Sequence, residues 1–144
     1  LDILSRGPLW EMGIDYKCGT GHGVGCFLNV HEGPQRISRS NGAYPLAAGM
    51  ITSVEPGYYE ENRYGIRIEN LVEITDAAPE LPAGYLKFKN LTLIPIDKRL
   101  INKYLLNDGE IDWLNNYHRQ VEEALSPYLT AAERNWLQEA CSPL

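Results

Sequence analysis

"SVEPGYYEENRYGIRIEN", residues 53–70, decides how this chain is read. β-branched and aromatic residues flank a polar middle, so the segment reads as two strands joined near Asn62, a hairpin in outline. Glu55 and Glu69 are equidistant from Asn62, and simple antiparallel pairing sets them opposite one another. Directly opposed side chains have Cβ atoms roughly 4.5–5.5 Å apart, where like charges are destabilising. Three arrangements relieve that repulsion: one carboxyl protonated, an arginine bridging the pair, or a cation bound between them. Arg67 lies on the face of Glu69 by the period of two and would serve the second. Tyr59 shares the face of Glu55 and could donate a hydrogen bond.

Upstream, "GTGHGVGCFLNVHEG" (19–33) seats His22 among Gly19, Gly21, Gly23 and Gly25. Glycine loses more conformational freedom on folding than any other residue, so a close approach of backbone or ligand should explain four of them. The spacing fits neither G-x-G-x-x-G nor a P-loop, and no lysine follows. A local zinc site from Cys18, His22, Cys26 and His31 would need a tight reversal between each pair, since four extended residues span roughly 13 Å. In an extended segment Thr20, His22 and Val24 face one way and the glycines leave the other face bare. His22 is then either a hydrogen-bonded histidine at a crowded sheet crossing or a ligand. With two carboxylates it makes an N/O donor set for Mn, Zn, Co or Fe.

Around these segments the fold class is α+β. Residues 1 to about 11 suggest a helix, and "CFLNVH", "MITSVEPGYY", "YGIRIENLVEIT" and "YLKFKNLTLIPI" read as strands of a curved, mainly antiparallel sheet with that helix packed on it. From about 98 the chain turns helical: Ile111, Leu114, His118, Val121 and Leu125 recur at helical spacing behind Asn107 and Glu110 placed as a capping box. Thr130 and Glu133 open a second helix beyond Pro127. The expected division is 1–97, sheet-bearing, and 98–144, a helical extension.

Composition narrows the partners. Of 144 residues 44% are hydrophobic and the net charge is −6, with no Lys/Arg-rich run, which disfavours nucleic acid and anionic membrane surfaces. Apolar runs fall far below the roughly 18 residues of a membrane span. Three cysteines without a C-x-x-C pair argue against a disulfide framework and for a reducing compartment. The chain opens at Leu1 on what reads as a helix already under way, and is taken as a fragment of a longer protein.

"GTGHGVG…NVHEGP" followed by "EPGYYE…YGIRIEN" resembles the aminopeptidase P branch of the methionine-aminopeptidase-like, or pita-bread, metallopeptidases. "WLNNYH" and the tail after it resemble the C-terminal extension of the long, cytosolic-type members, which remove a residue preceding proline. The resemblance implies the C-terminal half of a pita-bread fold. It makes His22, Glu55 and Glu69 three of five ligands to two divalent ions, usually Mn²⁺ with Zn or Co as alternatives, and Glu69 the bridging carboxylate. It gives Glu55 and His31 catalytic parts, and Tyr59 and Arg67 places around the ligands and substrate. Expected partners are a peptide with proline at its second position and a second copy of the chain, held in part through 105–142, where the helices of Trp113, Tyr117 and Trp136 add contact area. The expected compartment is the cytoplasm.

Two departures matter. Better-known members carry histidine where this chain has Cys18, and a thiol is a weaker hydrogen-bond donor. The family's two aspartate ligands lie upstream, and of Asp2 and Asp15 neither has the right context, so the site is incomplete in this chain. The rival reading is a pita-bread module without catalysis that binds peptides, or uses its helices for dimerisation. The three ligands and His31 speak for the enzyme.

Overall fold

The computed structural model describes residues 1–40 and 44–144. In order, the elements are α1 (Asp2–Glu11), β1 (Gly21–His22), β2 (Arg36–Ile37), β3 (Ile51–Val54), β4 (Gly57–Glu60), β5 (Tyr64–Arg67), β6 (Asn70–Asp76), β7 (Leu86–Asn90), α2 (Asp108–Leu125) and α3 (Ala131–Cys141), with short 3₁₀ turns from residue 98 onward. The chain falls into two compact units, Leu1–Thr92 and Leu93–Leu144.

The hairpin forms the spine of the first unit. Pairing Ile51↔Glu73 through Val54↔Asn70, then Gly57↔Arg67 through Glu60↔Tyr64, keeps one antiparallel register throughout. Asn62 turns the chain in the left-handed region, at φ 58°, a conformation Asn tolerates better than most residues. The ladder breaks once, where Pro56 has no N–H to donate. The register on both sides of that break sets Glu55 across from Glu69.

β6 is central in the order β3–β6–β7. Val72 and Ile74 point inward at 3% and 1% exposure, while Glu73 on the other face reaches Lys89 of β7 at 3.1 Å. That period of two is what a sheet with one wet face requires. Every named pairing in the unit is antiparallel.

One expectation changes. "CFLNVH" is not a strand. It belongs to a loop closed by Gly25 N–H to the Asn29 carbonyl and Glu32 N–H to the Gly23 carbonyl, with Leu28 at φ 59° and Phe27 fully in solvent. Local bonds across Gly23 and Gly25 outweigh the β-propensity of its apolar residues. The first helix also buries a polar face: Asp2 and Arg6 are covered while Ile3, Leu4 and Trp10 stay exposed.

The second unit has an apolar core of Leu114, Tyr117, Val121, Leu137 and Cys141, joined by Ile96, Ile101, Leu125, Leu129 and Leu144. Both capping boxes form, Asn107 with Glu110 and Thr130 with Glu133. Lys98 sets its ammonium on the Glu139 and Ser142 carbonyls at the end of α3, where the helix dipole favours a cation. Tyr117 is 2% exposed and donates to the Ile94 carbonyl at 2.8 Å. Its phenol end found a partner, which is what permits a buried tyrosine.

His118 is fully buried, and its Nε2 accepts the Ile96 N–H at 3.0 Å. The ring proton therefore sits on Nδ1, which is buried with no partner among the described residues. Burial, then the nearby Lys98, hold its pKa below the usual 6.5. The unfolded chain thus binds the extra proton first, and stability falls as pH drops below about 6.5, by at most about 1.4 kcal/mol per pH unit. Urea midpoints of the second unit at pH 7.5 and 5.5 check this: wild type should lose stability at pH 5.5, and His118→Asn should not.

Candidate metal centre

The glycines of 19–33 are explained by crowding. A Cβ on Gly21 would overlap the Ser53 carbonyl, and one on Gly23 the Glu32 carbonyl. The bare backbone brings β1 hard against β3, and that contact orients His22. Its N–H donates to Ser53 Oγ at 2.9 Å, and its carbonyl accepts from Thr52 Oγ1 at 2.9 Å.

The His22 ring is fixed at both nitrogens. Nδ1 lies 3.0 Å from the Gly23 carbonyl, which can only accept, so Nδ1 carries a proton. Nε2 lies 2.9 Å from Glu55 Oε1. Two bare acceptors at that distance repel, so the contact calls for a proton between them or a cation bound beside both. An imidazole whose Nδ1–H is held by a backbone carbonyl has the usual arrangement of a metal-binding histidine.

Glu55 is placed by its backbone N–H on the Thr20 carbonyl at 2.7 Å and by Ser53 Oγ donating to Oε1 at 3.0 Å. Its side chain is 16% exposed. Arg67 stands between the two glutamates, 3.8 Å from Glu55 Oε2 and 3.6 Å from Glu69 Oε2. Those separations lie beyond hydrogen-bond reach, so Arg67 acts as a counter-charge, not a fork. The donor set, one imidazole nitrogen and two opposed carboxylates, fits a hard or borderline divalent cation. Among the described residues no group of three His, Cys, Asp or Glu side chains is placed to hold a metal ion: His22 and Glu55 meet, and Glu69 does not complete the set with them.

His31 joins the group: its ring packs edge-on to His22 with centroids 4.3 Å apart. The Tyr59 ring lies over Gly65, its hydroxyl above Gly57, where added Cβ atoms would come within 2.8 and 2.7 Å. Cys18 lends its carbonyl to Arg6, and its residue is exposed, as is Cys26. The zinc arrangement Cys18–His22–Cys26–His31 is thus not assembled. Sequence reasoning missed Thr20, Thr52 and Ser53. The signal for Ser53 was its position two before Glu55, on the same side of an extended chain.

The chain matches the model of metallopeptidase family M24 over residues 1–76 and that of the C-terminal region of peptidase M24 over 84–144. It is 50% identical to aminopeptidase P2 of Arabidopsis thaliana, over all of this chain and 21% of that protein. It is 44% identical to Xaa-Pro aminopeptidase app-1 of Caenorhabditis elegans, over all of this chain and 24% of that one. The chain thus spans about a fifth to a quarter of these relatives' length. Among solved structures, the X-prolyl aminopeptidase of Caenorhabditis elegans, described as a cytosolic enzyme with a di-nuclear active site, superposes with a TM-score of 0.89 at 44% identity, over 99% of this chain and 24% of that one. The prolidase of Thermococcus sibiricus gives 0.51 at 34% identity, over 63% and 22%. The α+β fold is accordingly that of the C-terminal part of the pita-bread architecture. With both family models accounting for nearly its whole length, the chain belongs to metallopeptidase family M24.

Proposed function

We propose that residues 1–97 supply the C-terminal part of the catalytic domain, and 98–144 the helical extension, of a cytoplasmic aminopeptidase that releases an N-terminal residue preceding proline. The observation that carries this is His22 Nε2 held 2.9 Å from Glu55 Oε1, with Nδ1 committed to the Gly23 carbonyl. His22, Glu55 and Glu69 would be ligands to two divalent ions, Mn²⁺ first, with Glu69 bridging and the remaining ligands from other parts of the protein. Such ions, when bound, polarise the scissile carbonyl and acidify water.

The chain's own residues do the rest. Glu55 Oε2, the oxygen not held by Ser53, moves a proton toward the leaving proline nitrogen. His31, beside His22, donates to the carbonyl oxygen as charge develops there. Arg67 offsets the charge of the two glutamates, and Tyr59 walls the same cleft on its glycine bed. The Cys18 thiol would offer substrate only a weak donor. The exposed Ile3, Leu4 and Trp10 of α1 offer apolar surface to the rest of a longer domain, and exposed Trp113 and Trp136 to a second copy.

The test uses the full-length protein with matched Xaa-Pro and Xaa-Ala peptides. Release from the first only, lost on chelation and restored by Mn²⁺, is expected, and the 144-residue chain alone should release nothing. The position of Arg67 between the carboxylates favours a second reading, a peptide-binding module whose acidic pair is already neutralised. Peptide binding with no turnover and no bound divalent ion in the full-length protein would replace the first reading by that one.

A further inference from the structure

We propose that Ser53 is a positioning residue for the metal-binding pair: its one hydroxyl fixes the Glu55 carboxylate against the His22 ring. This rests on the reading of His22 and Glu55 as ligands. Ser53 is completely buried and sits two residues before Glu55, which follows the end of β3 on the same side of the chain. Gly21, opposite, has no Cβ, and this lets the Ser53 backbone close onto β1.

The hydrogen-bond accounting fixes what the hydroxyl does. Ser53 Oγ accepts the His22 N–H at 2.9 Å, so that its own proton goes to a second partner. The His22 carbonyl is 3.5 Å away and is already taken by Thr52 Oγ1 at 2.9 Å. Glu55 Oε1, at 3.0 Å, is the better acceptor and the charged one. That same oxygen faces His22 Nε2. A carboxylate oxygen has two lone-pair directions. Ser53 occupies one, and the other is left aimed at the imidazole nitrogen and whatever cation lies beside it.

The backbone of Ser53 is already held by pairing with Leu71 in the β3–β6 ladder, so the strand does not need the hydroxyl. Its hydroxyl instead connects the main chain of one ligand to the side chain of another. Outer partners of this kind set ligand orientation and typically change metal affinity 10–100-fold.

The experiment compares the full-length wild type with Ser53→Ala and Ser53→Thr, titrating Mn²⁺ by calorimetry and solving crystal structures of all three. Ser53→Ala should weaken Mn²⁺ binding by about 10–100-fold and let the Glu55 carboxylate turn away from His22. Ser53→Thr, which keeps the hydroxyl, should restore both. If Ser53→Ala does not fold, Ser53→Cys, a near-isostere with a weak donor, takes its place. Wild-type affinity in the alanine variant, with only the unfolding midpoint lowered, would reduce Ser53 to a packing residue and overturn the proposal. If wild type binds no divalent ion, the functional reading is what fails. The crystal structures still judge Ser53 in that case: Glu55 Oε1 remaining in hydrogen-bond reach of His22 Nε2 without the hydroxyl overturns its positioning role, and a displaced carboxylate upholds it.

Discussion

Glu69→Gln in the full-length protein is expected to lower kcat/KM for a Xaa-Pro peptide by at least about 10³-fold, since loss of an outer partner alone costs 10–100-fold in metal affinity or activity. The amide keeps the shape of the side chain but removes the charge and turns one acceptor into a donor. Glu69 is partly exposed, and its ion-pair contact is the loose one with Arg67 at 3.6 Å. The fold should therefore change in stability by no more than about 0.5 kcal/mol, as for ordinary surface substitutions. Metal content measured beside kcat/KM and a thermal melt separates the cases. An unchanged melt with metal and turnover both lost supports the bridging role. Turnover within tenfold of wild type would remove Glu69 from the ligand set and leave Arg67 as the reason for the opposed pair.

The hairpin was legible because two independent signals agree there. The period-2 pattern of 70–76 fixes the faces, and Asn62 fixes the turn. Once the turn is placed, the opposition of Glu55 and Glu69 follows by counting, even though neither belongs to a strand. The glycines were legible as a close approach, but not which backbone approaches. Ser53 and Glu32 lie 32 and 9 residues from Gly21 and Gly23, and no local rule pairs them.

What escaped reading was polar. A buried hydroxyl such as Ser53 or Thr52 looks in sequence like any solvent-facing strand residue, because only tertiary contacts decide its surroundings. "CFLNVH" failed for the opposite reason: its apolar residues suggest a strand, yet Phe27, Leu28 and Val30 are exposed. In α1 the buried face is likewise polar. The signal that was present is the spacing of Asp2 and Arg6, one turn apart and able to pair.

That pair carries the largest expected effect on stability. Arg6 is fully buried and donates Nε–H to Asp2 Oδ2 at 2.7 Å, Nη1–H to Asp15 Oδ1 and the Tyr16 carbonyl, and Nη2–H to the Cys18 carbonyl at 2.7 Å, with its plane 3.8 Å above the Tyr16 ring. Asp2 Oδ1 accepts from Thr20 Oγ1 at 2.6 Å, and Thr20 Oγ1 accepts in turn from the Tyr16 hydroxyl at 2.5 Å. The Thr20 carbonyl then receives the Glu55 N–H, so the knot runs directly into the candidate metal centre. Arg6→Ala leaves Asp2 Oδ2 and the Tyr16 and Cys18 carbonyls without their guanidinium donor, and breaking one side of a buried pair costs about 3–5 kcal/mol. That is a large fraction of the roughly 5–15 kcal/mol by which a domain is stable. Arg6→Lys should recover only part of it, because an ammonium cannot reach four acceptors in one plane. Acid should act on the same pair. Burial pushes the Asp2 carboxyl up, but hydrogen bonds from Arg6 and Thr20 bring it below its usual 3.8. The stability it adds is therefore complete at neutral pH and lost only as pH falls below about 3.8, through its folded value. Guanidinium unfolding of the full-length wild type, Arg6→Ala and Arg6→Lys at pH 7 gives the order directly. A loss below about 1 kcal/mol in Arg6→Ala, no more than one ordinary hydrogen bond, would mean that water or another side chain replaces the guanidinium and that Thr20 is held without it.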